Sequence, residues 1–113
     1  MEDEKPMARA LELKLVHAGF DAKAVFNGED GVLLMRKEHY DLALLDLVMP
    51  KIDGFKVLEI LKNENIGIPV IVLSNLSQEG DERRAKELGA KDFFIKSNTP
   101  ITTIVEHVTQ FLK

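Results

Sequence analysis

Three short apolar runs in this chain each close on a polar side chain of a different kind. Asp41-Leu42-Ala43-Leu44-Leu45 runs into Asp46, Pro69-Val70-Ile71-Val72-Leu73 into Ser74, and Asp92-Phe93-Phe94-Ile95 into Lys96. Nearly continuous apolar runs of this length mark strands buried on both faces of a parallel sheet. An acid, a hydroxyl and an ammonium would then gather at one sheet edge, joined by Glu2 and Asp3 just before the first helix. A carboxylate can attack phosphorus, but the incoming phosphoryl group is itself negative, so position and electrostatics must offset the repulsion. Lys96 can neutralise one phosphoryl oxygen, and Ser74 can donate a hydrogen bond to another. A Mg²⁺ ion, hard and satisfied by oxygen ligands, would suit Asp3, Asp46, a backbone carbonyl at Val48 in the loop after the strand, and waters, one of them held by Glu2.

Each of these residues has a plainer explanation on its own. Acids at strand ends and before helices serve as caps, a lone lysine is a solvated charge, and a lone serine is a turn or cap residue. Their convergence at one edge outweighs those explanations. The three histidines, His17, His39 and His107, share no metal-ligand spacing and read as helix or surface residues. Gly28 and Gly54 read as turn and helix-start residues, since no phosphate-cradling glycine pattern occurs.

Positioning such an edge requires strands alternating with helices. Met7, Leu11, Leu15 and Ala18 recur at helical spacing after Pro6, and Gly19 marks the stop. Asp21 to Phe26 reads as a strand, Asn27-Gly28 as a turn or N-cap, and Asp30 to His39 as a helix. Further helices are expected from Phe55 to Leu61, from Glu79 to Leu88 ahead of Gly89, and from Pro100 to Leu112. This rhythm predicts one α/β domain over residues 1–113, an open parallel sheet with helices on both faces. Ligand sites in such sheets lie beyond the carboxyl ends of the strands.

Composition narrows the function classes. With 113 residues, 45% hydrophobic and 30% charged, the chain has the size and composition of one globular domain. A net charge of -4 argues against direct nucleic-acid binding. No window is apolar for long enough to span a membrane, and the start has no signal-peptide character, so a cytoplasmic location is expected. The absence of cysteine excludes thiolate chemistry.

The segment from Tyr40 to Gly54 resembles the phosphoacceptor strand and loop of response-regulator receiver domains, whose D-x-x-M-P-x-x-D-G pattern is met by Asp46, Met49, Pro50, Asp53 and Gly54. Glu2-Asp3-Glu4 is similar to that family's acidic pair, Ser74 to its hydroxyl, Lys96 to its lysine, and Leu88-Gly89-Ala90 to the helix end before its last strand. The resemblance implies a flavodoxin-like fold, Mg²⁺ dependence and phosphotransfer to Asp46 from a histidine kinase or phosphotransfer protein. It implies signalling to a downstream protein target rather than enzymatic turnover of a substrate. It also implies a switch in which Ser74 moves toward the phosphate and Phe93 turns inward.

Two departures stand out. Ser97 follows Lys96 where the family usually carries Pro, so a trans peptide and a differently shaped loop are expected. The hydrophobic strand that should precede the acidic pair is absent, because Met1 stands in its place. In the order 2-1-3-4-5 that strand is interior, so its loss would separate the second strand from the third and leave both edges unpaired. Completion by dimer exchange or edge pairing is the expected remedy, and fraying of Glu2 and Asp3 with weakened metal binding is the expected consequence. An alternative function follows: a truncated or engineered receiver fragment, a strand-completed homodimer with little or no phosphotransfer. A flavin or nucleotide enzyme on a similar fold is the least supported, with one Tyr, no Trp and no phosphate-binding glycine loop.

Overall fold

A computed structural model of the chain describes residues 1–2, 4–47, 53–74, 80–96 and 99–112. The elements run α1 (Lys5–His17), α2 (Gly28–Lys37), β1 (Ala43–Asp46), α3 (Gly54–Asn63), β2 (Val70–Ser74), α4 (Asp81–Glu87), β3 (Asp92–Ile95) and α5 (Ile101–Leu112). The strands form a parallel sheet in the order β1-β2-β3. Leu45 pairs with Val72, and Val72 with Phe93. Helix boundaries follow local chemistry. Asn27 caps α2 by accepting the Asp30 N–H at 2.8 Å, Glu29 and Asp30 sit in its first turn, and Arg36 and Lys37 sit in its last, as the helix dipole favours. Beyond α4, Gly89 takes a φ of 109°, a left-handed conformation that glycine adopts without strain.

The alternation of side chains along the strands divides the interior into two layers. Leu45, Val70 and Val72 face one way and pack with Val32 and Met35 of α2, Val57, Leu58 and Leu61 of α3, and Ala85 of α4. Ile71 and Leu73 face the other way, against Leu11 of α1 and Ile104 and Val108 of α5. All five residues of β2 are buried, so the central strand of the described sheet carries no polar residue until its last position, Ser74.

The expected strand from Asp21 to Phe26 is not formed; residues 21–25 carry no regular structure and 26 lies in a bend. A strand is defined by its pairing, and the Val25 carbonyl accepts from the Glu2 N–H rather than from a residue of β1. Met1 and Glu2 do what an interior strand would do. The Met1 amino group donates to the Leu44 carbonyl at 2.6 Å. The Asp46 N–H donates to the Met1 carbonyl at 3.0 Å, and the Glu2 N–H to the Val25 carbonyl at 3.0 Å. The second strand has therefore not moved across to pair directly with β1.

Core packing on β1 is the cheapest feature to test. Leu45 has no exposed surface, whereas Leu33 on α2 is 45% exposed. Leu45→Ala is expected to cost about 2–5 kcal/mol of folding free energy, and Leu33→Ala within roughly 0.5 kcal/mol of nothing. Urea unfolding followed by circular dichroism measures both, and equal losses would contradict the layer assignment.

Candidate functional site

The carboxyl ends of β1, β2 and β3 bring Asp46, Ser74 and Lys96 to one edge, as their positions in the sequence predict. Asp46 is 5% exposed and Ser74 is fully buried. The Lys96 ammonium lies 3.0 Å from Asp46 Oδ2 and also contacts Glu2 Oε1 in a second ion pair. Glu2, expected to fray, is instead 5% exposed. Its backbone is tied to Val25, and the Glu4 N–H donates to its Oε2 at 3.3 Å. Two buried carboxylates thus converge on one buried ammonium, which can balance only one of them, and removing the ammonium would leave both uncompensated in a medium that solvates charge weakly.

The proton affinities follow from this crowding. Burial pushes the Glu2 carboxyl up to about 7, and the adjacent Asp46 adds to the rise while Lys96 opposes it. For Lys96, burial favours the neutral amine, but the bonds to Glu2 and then Asp46 outweigh it and hold the ammonium above its ordinary value. Burial lowers the Met1 amine to about 6, with Glu2 and Asp46 pulling the other way.

The remaining expected site residues divide. Phe93 is partly buried and packs on the α2–α3–α4 side of the sheet. Its neighbour Phe94 faces α5, with its ring 4.8 Å from that of His107. Asp3, Val48 and the Lys96–Ser97 peptide bond fall outside the described residues, so the expected third acid, backbone carbonyl ligand and trans bond do too. Among the described residues no three acidic or histidine side chains are grouped to hold a metal ion. The donor set that is described, Glu2 with Asp46, is nevertheless of the right chemistry. Hard oxygen donors crowded together, one with raised proton affinity, suit a divalent cation that would relieve their repulsion.

Sequence reading missed two positioning features. Gly54 is more than a helix start. Its N–H donates to the Leu47 carbonyl at 2.9 Å, and a Cβ there would lie 2.6 Å from Leu47 Cα and 2.7 Å from the Asp46 carbonyl oxygen. Helix α3 therefore begins against the backbone that carries Asp46, with Asp53 capping it by accepting the Lys56 N–H at 2.9 Å. The Asp53-Gly54 pair was the available signal, though its spacing does not reveal how close the backbones come. The second feature is Met1, whose backbone bridges Leu44 and Asp46; nothing in its residue type signals that.

A parallel sheet between two helical layers, with an acid, a hydroxyl and a lysine at its carboxyl edge, defines a receiver-type architecture. The family model described as the response regulator receiver domain matches residues 1–109, and the chain belongs to that family, a family of signalling modules rather than enzymes. Its fold is flavodoxin-like, with three of the usual five parallel strands among the described residues. The receiver domain of Francisella response regulator 1452 superposes with a TM-score of 0.91 at 29% identity, covering 98% of this chain and 91% of that one. The receiver domain of a signal transduction histidine kinase from Syntrophus aciditrophicus gives 0.86 at 32% identity, covering 99% and 86%. A probable transcriptional regulator, ycf27, of Porphyridium aerugineum is 37% identical over 100 residues, 88% of this chain but 41% of that protein. The chain thus spans less than half the length of that curated relative. Among the described residues no helix is long and apolar enough to cross a membrane.

Two outcomes follow from the site. A folded carboxyl titrating at about 7 keeps a proton that the unfolded chain, titrating near 4.5, releases. Stability attributable to Glu2 is therefore present below pH 4.5 and is lost as pH rises to about 7. Comparing urea midpoints at several pH values, Glu2→Gln should remove that decline and stand above the parent at pH 7.5; parallel profiles would contradict it. The Met1 amine acts in the opposite sense between about 6 and 8, and the difference between variant and parent isolates Glu2 from it. Gly54→Ala should destabilise the fold by about 1–3 kcal/mol, since the contact it makes is with backbone rather than with a flexible side chain; an unchanged urea midpoint would show that α3 can shift away.

Proposed function

We propose that the chain is a phosphoacceptor receiver module in which Asp46 takes a phosphoryl group from a phosphohistidine on a sensor histidine kinase or phosphotransfer protein. An Asp46 carboxylate oxygen attacks phosphorus, and the phosphorus–nitrogen bond breaks as the oxygen–phosphorus bond forms. The imidazole nitrogen leaves with the bonding electrons. The observation that carries this reading is the Lys96 ammonium 3.0 Å from Asp46 Oδ2 at a buried strand end. It stands ready to compensate a transferred anion, and positioning with charge compensation is most of what phosphoryl transfer demands of a protein. Glu2, Asp3, Asp46 and the Val48 carbonyl would hold Mg²⁺, which supplies further neutralisation of the phosphoryl oxygens. Ser74 donates to a phosphoryl oxygen after transfer, and Phe93, on the strand that leads into Lys96, relays the change to the surface that a downstream protein reads.

A second reading is a receiver-derived module that forms a strand-completed dimer and whose phosphotransfer is weak. Incubation with Mg²⁺ and acetyl phosphate, followed by intact mass measurement and light scattering, separates the two. The first reading expects a monomer that gains one phosphate, with the gain abolished in Asp46→Asn. No gain, or a gain that survives in the variant, would sink it, and a stable dimer without gain is the outcome expected of the second.

A further inference from the structure

The Lys96 ammonium reaches Asp46 and Glu2 at the end of a long, flexible side chain, so its aim depends on how the backbone at Lys96 is held. Among the described residues, strand pairing stops one residue short of it, with Ile95 opposite Ser74. A proline at the next position would restrict the Lys96 backbone, but Ser97 stands there. Thr99 supplies a restraint instead. Its hydroxyl donates to the Ile95 carbonyl at 2.9 Å, and its N–H donates to the Lys96 carbonyl at 3.4 Å. These carbonyls belong to the two peptide groups on either side of the Lys96 Cα. Each peptide group is a rigid plane, and φ and ψ of Lys96 set the angle between the planes. Tying both to one residue therefore sets the direction in which the Lys96 side chain leaves the backbone. The shorter bond is the one made by a side chain, and a substitution can remove it.

Thr99 is itself anchored. It precedes Pro100, which narrows its backbone to extended conformations. The Pro100 carbonyl accepts from the N–H groups of Thr103, at 3.0 Å, and Ile104, at 3.2 Å. Ile104 has no exposed surface and packs in the core with Ile71 and Leu73. The seat of α5 on the sheet is thus passed through Pro100 and Thr99 to the residue whose ammonium lies 3.0 Å from Asp46 Oδ2.

We infer that Thr99 is a positioning residue for phosphoryl transfer: its hydroxyl, acting through the Ile95 carbonyl, aims the Lys96 ammonium at the Asp46 carboxylate. This role rests on the phosphoacceptor role proposed for Asp46. It differs from plain capping, in which the hydroxyl would steady the start of α5 and leave the site unaffected. Thr109 provides the comparison. Its hydroxyl donates to the Val105 carbonyl at 2.8 Å, the same kind of bond, but about 12 Å along α5 from Ile101 at about 1.5 Å per residue.

Three variants of the full chain separate the possibilities. Thr99→Val keeps the side-chain shape and removes the donor, Thr99→Ser keeps the donor, and Thr109→Val removes the matching bond far from Lys96. Each chain receives a brief pulse of an amine-acetylating reagent, and labelling at Lys96 relative to the other lysines is read from peptide masses. The Lys96 side chain is 6% exposed, so the parent should label slowly there. Thr99→Val should label roughly tenfold faster at Lys96 alone, the change expected for one lost hydrogen bond. Its rate of phosphate gain at saturating acetyl phosphate with Mg²⁺ should fall by a similar factor, with the half-saturating concentration unchanged. Thr99→Ser and Thr109→Val should match the parent in both measurements. Parent-like labelling or parent-like phosphate gain in Thr99→Val would overturn the role. So would equal effects in Thr109→Val, or a Thr99→Ser chain that behaves like the valine variant. A parent that gains no phosphate defeats the phosphoacceptor reading instead, and the labelling alone then decides whether Thr99 aims Lys96.

Discussion

The arrangement depends on one charge problem: two carboxylates, Glu2 and Asp46, buried beside one another with the Lys96 ammonium between them. Buried like charges repel strongly and buried unpaired charges are costly, so the two carboxylates are tolerable side by side only with the ammonium between them, and the Glu2 carboxyl holds its proton more tightly than usual. They come from the chain start, from the end of β1 and from the end of β3. Satisfying the charges therefore ties the first two residues of the described chain to a sheet they scarcely belong to. A pocket held under this tension would also gain from an added divalent cation, which would offset negative charge that Lys96 alone compensates imperfectly.

That tie explains why the incomplete interior position does not unravel the neighbouring backbone. β1 lies along one side of it, and its outer peptide groups near Asp46 find Met1 rather than solvent. Residues 21–25 carry no regular structure although their composition suits a strand. Mostly apolar residues line a groove beside this segment, and Glu12 reaches in to accept from the Ala24 N–H. Site and groove are neighbours along β1, which links completion of the sheet to the position of Glu2.

Local sequence patterns made much of the fold legible. The apolar runs at 41–46, 69–74 and 92–96 became β1, β2 and β3 with ends trimmed by a residue or two, because a strand buried on both faces tolerates little besides aliphatic and aromatic side chains. Asn27 and Gly89 marked helix ends through capping chemistry that acts within a few residues. The run at 21–26 misled because strand formation requires a neighbour, and alternation of residue types says nothing about whether one is there. The fraying expected of Glu2 was wrong for a related reason: the bonds that hold it come from Val25 and Lys96, far away in sequence.

The sequence by itself determined which residue types stand at strand ends, the helices that separate those strands, and hence the parallel order that gathers Asp46, Ser74 and Lys96. These follow from short-range periodicity and from the handedness of βαβ connections, which leave little freedom. Only the tertiary structure decided that Glu2 is buried against Lys96, that Gly54 must lie bare against the Asp46 backbone, and that the space beside β1 remains a groove. Each of those depends on distances between segments tens of residues apart, set by packing and charge compensation rather than by any local preference of the chain.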